Sequence, residues 1–181
     1  MKFIDEKLLD YEGDTFTVYK DLEGKTIMRF TETGEWIDNS DQYANMFLGK
    51  CESCNSFYEE SFKDFNYDSV LVAGLGFGLI PNELSEVNKC STIDVVEINQ
   101  EVIDYNVSSA HLNSKVNFIK GDIFNYTSSE KYDLIIIDTF WGDGDMLSEE
   151  QHQALAEGLY ENNINEGGAL YIPVTHEWLA K

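Results

Sequence analysis

Arginine is almost missing from this chain: Arg29 is the only one. Lys and Arg together number 12 against 34 Asp and Glu, for a formal net charge of -22 and a pI near 4.2. So acidic a surface repels phosphate backbones, which all but excludes nucleic-acid binding as a main function and argues against long anionic substrates. A neutral or cationic small molecule stays open. Cysteine is scarce: Cys51, Cys54 and Cys90 are too few for a disulfide scaffold, so a reducing cytoplasm is the expected compartment. Long apolar runs are absent. No stretch approaches the ~18 residues of a membrane span, and the acidic start MKFIDE shows no sustained apolar segment of a secretory signal. With only two prolines, no repeat and no low-complexity linker, nothing divides the chain sharply. What is present is a 43% hydrophobic, 13% aromatic composition over 181 residues. That suffices for one packed domain of ordinary size with a small appendage.

The character of the chain changes near residue 67. Residues 14–20 (DTFTVYK) and 26–31 (TIMRFT) are rich in β-branched and aromatic residues and flank the turn cluster DLEGK, which predicts a β-hairpin. Residues 41–49 (DQYANMFLG) read as helical, and aromatics are spaced over 57–65. From residue 69 onward, apolar runs alternate with helix-like segments. The expected strands are 69–73 (SVLVA), 92–98 (TIDVVEI), 116–119 (VNFI), 132–138 (YDLIIID) and 168–174 (GALYIPV). Helices are expected over 80–88, 100–109 and 148–163. Near-continuous apolar strands separated by helices indicate a parallel sheet covered on both faces. Pro81 suits the first turn of its helix, Ser148 and Gln151 fit a capping box, and Leu155 and Leu159 share one helical face. Glu166-Gly167-Gly168 is read as the end of that helix. The expected organisation is an N-terminal β-hairpin and helical subdomain over residues 1–67, then a Rossmann-like α/β domain over residues 68–181.

The sharpest motif is VLVAGLGFGLIP at residues 70–81, an apolar strand running through G-x-G-x-G into a helix. Glycines let the chain turn tightly and bring bare backbone to a ligand, and the helix start supplies unpaired N–H groups. A nicotinamide-type G-x-G-x-x-G would need glycine at position 79, which is Leu79; the spacing is that of S-adenosylmethionine sites. A plain tight turn is the competing explanation. Glu97 ends the second strand, where a carboxylate can accept both hydroxyls of a ribose; a solvated acid in so acidic a chain is the alternative. Lys120-Gly121-Asp122-Ile123 follows the third strand, offering a carboxylate to an adenine amino group with Ile123 against the ring. Asp138-Thr139-Phe140-Trp141 follows the fourth. Gly74 to Gly78, Glu97, Asp122 and Asp138 all fall on the carboxyl edge of the sheet, where ligands of such folds collect.

The segments VLVAGLGFG, IDVVEINQEVID, VNFIKGDIF and YDLIIIDTF resemble those of class I S-adenosylmethionine-dependent methyltransferases and, within that fold, the spermidine synthase family. The resemblance covers roughly residues 14–174, including the N-terminal hairpin and a D-E-x-A-Y-H-like segment at Asp41-Gln42-Tyr43-Ala44-Asn45-Met46. It implies a doubly wound sheet in the order 3-2-1-4-5. It also implies binding of S-adenosylmethionine, or its decarboxylated form, at Gly74, Gly76, Phe77, Gly78, Glu97, Ile98, Asp122, Ile123 and Asp138. Asp138 stands at the reaction edge as the best-placed catalytic base, with holding the methionyl amino group or capping the next helix as its alternative role. Tyr43, Phe140 and Trp141 are the candidate substrate contacts, and packing under the following helix is the equal alternative for Phe140 and Trp141. The departures bear on activity. Spermidine synthases have aspartates where this chain has Phe77 and Trp141, and a Tyr-His pair where it has Asn45 and Met46. A desolvated cationic amine needs carboxylate partners. The expected activity is therefore methyl transfer to a small neutral or cationic acceptor, ahead of aminopropyl transfer in polyamine synthesis. A non-catalytic adenosyl-binding protein or partner subunit is the third reading. The usual terminal strand pair has no counterpart in THEWLAK, so the fifth strand, with Pro173, is expected at an open edge. Homo-oligomerisation through that edge or the N-terminal hairpin is the expected association.

Other motifs carry less. Cys51 and Cys54 form a lone C-x-x-C without a second pair for zinc. His111, His152 and His176 lack metal-ligand spacing, and Asp143-Gly144-Asp145 lacks the other acids of a calcium loop. No metal is expected.

Overall fold

The computed structural model describes residues 9–20, 26–32, 34, 36–38, 67–87, 90–108, 114–139, 149–172 and 177–180. Four short strands come first: β1 (Leu9–Glu12), β2 (Phe16–Lys20), β3 (Thr26–Phe30) and β4 (Trp36–Asp38). They form an antiparallel sheet in sequential order. Phe16 faces Phe30 and Lys20 faces Thr26 across the central pair, the hairpin expected from the sequence. β1 and β4 widen it to four strands. The predicted helix at 41–49 and the aromatic segment at 57–65 lie outside the described residues.

A six-stranded sheet follows, built from β5 (Ser69–Ala73), β6 (Thr92–Glu97), β7 (Val116–Lys120), β8 (Tyr132–Ile137), β9 (Ile164–Ile172) and β10 (Glu177–Ala180). The helices α1 (Leu79–Val87), α2 (Gln100–Ser108) and α3 (Glu149–Asn163) alternate with its strands. The spatial order is β10-β9-β8-β5-β6-β7. The five parallel strands thus take the expected 3-2-1-4-5 arrangement. β10 was not expected. It pairs antiparallel with β9, Glu177 opposite Ile172 and Ala180 opposite Ala169. β9 is therefore an interior strand, and the predicted open edge for a partner chain does not exist there. Pro173, the supposed edge marker, lies outside the described residues between the two strands.

The parallel strands form because both their faces are covered. Val70 and Val72 point into one core with Leu84, Val95, Ile103 and the N-terminal Phe16, Val18, Met28 and Phe30. Leu71 and Ala73 point into the other with Val96, Ile135, Leu155, Leu159 and Leu170. Each fully buried aliphatic side chain contributes about 1.5–3 kcal/mol over its exposed state, so an unbroken apolar run is stable only in such a central position. The N-terminal sheet shares the first core with α1 and α2, and Tyr105 of α2 stacks edge-on to Tyr11 and Phe16 at 5.1 and 5.7 Å.

The start of β9 corrects one expectation. α3 ends at Asn163 and the strand begins at once at Ile164, so Gly167 and Gly168 lie inside the strand. There the register slips: Tyr132 opposes Ile164, but Leu134 opposes Ala169. Gly167 takes φ 80, and a Cβ on Gly168 would meet the Asp133 carbonyl at 2.9 Å. The glycines make a bulge, not a helix stop.

Candidate cofactor site at the carboxyl edge of the sheet

β5 leads directly into the glycine loop. Gly74, Gly76 and Gly78 have φ of 92, 50 and 71, a region that side-chain-bearing residues rarely adopt. Gly74 is constrained twice. Its N–H donates to the Val96 carbonyl at 2.9 Å, and a Cβ there would sit 2.1 Å from the Asp138 carbonyl oxygen. Gly78 N–H donates to Leu75 at 2.7 Å, and Asn82 N–H to Gly78 at 3.0 Å, which closes the turn and opens α1. Phe77 packs part of its ring on the first core, so the loop offers backbone rather than an acidic side chain.

Glu97 ends β6 and is 3% exposed. Its two carboxylate oxygens accept from Leu75 N–H at 3.0 Å and Asn99 N–H at 2.7 Å. Burial raises its pKa, opposed by those backbone bonds, another from Ile98 and the charge of Lys120. Each oxygen retains a lone pair, so the carboxylate can serve the glycine loop and a ligand together. Beside it Ile98 is 55% exposed, an apolar side chain at the rim.

Asp122 caps a single 3-10 turn, Ile123–Asn125. One of its oxygens accepts from Phe124 N–H at 3.0 Å and the other from the Asn125 side chain at 2.7 Å. Ile123 is buried and Phe124 largely exposed. Asp122 thus first holds its own loop, and only its remaining lone pairs face outward.

Asp138 follows β8, its N–H bonded to Ala73 at 2.8 Å. Its side chain accepts no hydrogen bond among the described residues, and burial alone raises its pKa to about 6. The next side chain, Thr139, has its hydroxyl oxygen buried without a partner among them. A desolvated carboxylate without a donor is unfavourable unless a ligand supplies one.

α2 carries the residues the sequence reading missed. Asn106 is 3% exposed and donates to the Gly76 carbonyl at 2.8 Å and to Val102 at 2.9 Å. Glu101 accepts from Tyr11 Oη at 2.9 Å, from Asp14 N–H at 2.8 Å, and from the backbone (2.7 Å) and hydroxyl of Thr15. The available signal was an Asn spaced with Val102 and Ile103 on the inward helical face. The structure brings Gly74, Gly76, Phe77, Gly78, Glu97, Ile98, Asp122, Ile123 and Asp138 to one edge. Tyr43, Phe140 and Trp141 lie outside the described residues, as do Cys51, Cys54, His111, His176, Asp143 and Asp145. Among the described residues no three His, Cys, Asp or Glu gather as for a metal, and no helix is long and apolar enough to cross a membrane.

Neither a protein-family profile nor a curated protein matches the sequence. Solved structures do match in fold. Spermidine synthase from Thermotoga maritima superposes with a TM-score of 0.63 at 16% identity, over 93% of this chain and 58% of that one. The plantazolicin methyltransferase BpumL gives 0.52 at 27% identity, over 74% and 48%. DhpI, solved as a complex with SAM, gives 0.54 at 17%, over 73% and 53%. The chain thus spans about half the length of these proteins. It has the class I S-adenosylmethionine-dependent methyltransferase fold, in the arrangement of spermidine synthase.

Proposed function

We propose that this chain is an S-adenosylmethionine-dependent transferase that moves a methyl group to a small neutral or cationic acceptor. The observation that carries it is Asp138: a desolvated carboxylate without a donor, bonded through its backbone to the strand that launches the glycine loop. Such an acid fits a cationic group, and the cofactor is a cation in an acidic protein. The backbone of Gly74 to Gly78 would cradle its tail, Glu97 would accept the ribose hydroxyls, and Ile98 and Ile123 would flank the adenine. When bound, S-adenosylmethionine supplies a methyl group already activated on sulfur. The protein's part is then to hold, orient and exclude water. If the acceptor is a protonated amine or a hydroxyl, a carboxylate oxygen of Asp138 takes its proton, a role suited to a group titrating near neutrality.

Aminopropyl transfer is the second reading. The likeness to spermidine synthase over 93% of the chain leaves too few residues outside to omit the N-terminal sheet, which favours it. Phe77 speaks against it, since the loop then lacks an acid for the aminopropyl amine and leaves room for a methionyl carboxylate. Titration calorimetry with S-adenosylmethionine and with its decarboxylated form decides. Tighter binding of the former is expected. Clear preference for the decarboxylated form selects the second reading. Binding of neither ends both, and binding without transfer to any amine, thiol or phenol identifies a non-catalytic adenosyl-binding protein.

A further inference from the structure

α2 touches the glycine loop at one end and the N-terminal sheet at the other. Asn106 uses both hydrogens of its amide, one on Gly76 and one on Val102. It therefore fixes the carbonyl of a loop glycine whose φ is 50. At the start of the helix, Asn99 does three things. Its N–H donates to Glu97 at 2.7 Å. Its side-chain oxygen accepts from Glu101 N–H at 2.9 Å. Its side-chain amide donates to the Thr15 hydroxyl at 2.9 Å. Glu101 completes the link, with four donors from Tyr11, Asp14 and Thr15 on one carboxylate. Those donors outweigh the desolvation that opposes them and hold its pKa below the usual value. The β1–β2 turn is shaped to this carboxylate: a Cβ on Gly13 would lie 1.7 Å from a Glu101 oxygen.

We propose that Glu101 and Asn106 are positioning residues, and that α2 is the bridge through which docking of the N-terminal sheet sets the cofactor loop and Glu97. Neither residue needs to touch a ligand. Glu101 holds the sheet against the helix start. The helix start holds Asn99, and Asn99 holds Glu97. Farther along the same helix, Asn106 holds Gly76. Freeing either end lets Gly76 and Glu97 leave the geometry in which they serve one ligand. The coupling is reciprocal: a ligand that fixes the loop must also tighten the Thr15–Glu101 contact by the same factor.

The proposal rests on the glycine loop being a cofactor cradle, so its test has one arm with a ligand and one without. The full chain is titrated with S-adenosylhomocysteine as wild type, Glu101→Ala, Glu101→Gln, Asn106→Ala and the control Asp133→Asn. The control removes hydrogen bonds at the amino edge of the sheet, where Asp133 accepts from Asp68 and Ser69. Affinity is expected to fall about tenfold in Glu101→Ala and Asn106→Ala, the scale of one lost positioning bond. Glu101→Gln should recover part of it, and Asp133→Asn should bind as wild type whatever its stability. In the ligand-free protein, amide exchange at Leu75, the donor to Glu97, is expected to quicken in Glu101→Ala and Asn106→Ala but not in the control. Wild-type affinity in folded Glu101→Ala and Asn106→Ala overturns the bridge, as does an equal loss in the control. If the wild type binds no S-adenosylhomocysteine, the cradle itself fails, and unchanged Leu75 exchange in the two variants then overturns the bridge separately.

Discussion

Replacing Asp138 by asparagine should make the ligand-free protein more stable while abolishing the proposed methyl transfer. The carboxyl titrates at about 6 in the fold against an ordinary 3.8, with desolvation as the cause. Each pKa unit corresponds to about 1.4 kcal/mol, so the ionised side chain costs the fold about 3 kcal/mol above pH 6. Asp138 keeps some accessible surface, which makes this an upper figure. The sign follows from the raised value. Below 3.8 the group is protonated folded and unfolded, and nothing is lost. Between 3.8 and about 6 the unfolded chain ionises first, so stability falls as pH rises; above that range it is level. Asparagine, neutral throughout, lacks this fall. Urea denaturation of both proteins from about pH 4 to about pH 8 measures it through the linkage of protonation to folding. Asp138→Asn should match the wild type at the acid end and exceed it by up to about 3 kcal/mol at the neutral end. A difference independent of pH, or a variant less stable at neutral pH, would refute the assignment of Asp138 as an acid kept for a ligand rather than for the scaffold.

Other replacements probe the frame of the site. Gly74→Ala should lower stability by about 3 kcal/mol or more in urea denaturation, because it adds left-handed strain to a backbone clash. Tyr132→Phe removes the hydroxyl that donates to Asp94 at 2.8 Å and meets Tyr126 at 2.9 Å, costing about 1–2 kcal/mol by the same assay. Asp133 behaves oppositely to Asp138. Burial opposes its ionisation, but hydrogen bonds from Asn165, Asp68 and Ser69 outweigh it and lower the pKa. Its stabilisation is therefore present above the ordinary value of 3.8 and lost as pH falls through the lower folded one. Acid denaturation of Asp133→Asn should lack that component.

The parallel strands were legible because burial on both faces leaves a plain signature. SVLVA over Ser69–Ala73 was placed to the residue, and the other strand and helix starts of the first four crossover elements fell within a residue or so. Elements whose stability comes from distant partners left none. β10 has four residues and exists by pairing with β9. β1 and β4 are four and three residues long and lean on a hairpin already formed. Glu166-Gly167-Gly168 looks like a helix ending because local chemistry favours one, yet Asn163 is pinned to the Ser128 and Glu130 carbonyls and the strand already runs from Ile164. The site shows the same division. Gly74, Glu97, Asp122 and Asp138 are announced by local motifs at strand ends. Asn106 and Glu101 act on residues 30 and 86 to 90 positions away; the inward spacing of Asn106 marks it as buried, but nothing local names the distant group it meets.

In a chain with 34 acidic residues, an acid at a strand end is weak evidence of function, and hydrogen-bond supply separates the cases. Glu101 and Asp133 are fully served by protein donors, and both are shifted toward the charged form. Their charge is used up inside the fold. Asp138 has no donor among the described residues and is shifted toward the neutral form. Glu97 lies between: two backbone N–H groups reach it at 3.0 and 2.7 Å, yet burial still raises its pKa. The two acids that burial shifts toward the neutral form stand at the ends of β6 and β8, on either side of the strand that carries the glycine loop. The proposed transferase site would use both, Glu97 for ribose hydroxyls and Asp138 for a cationic group.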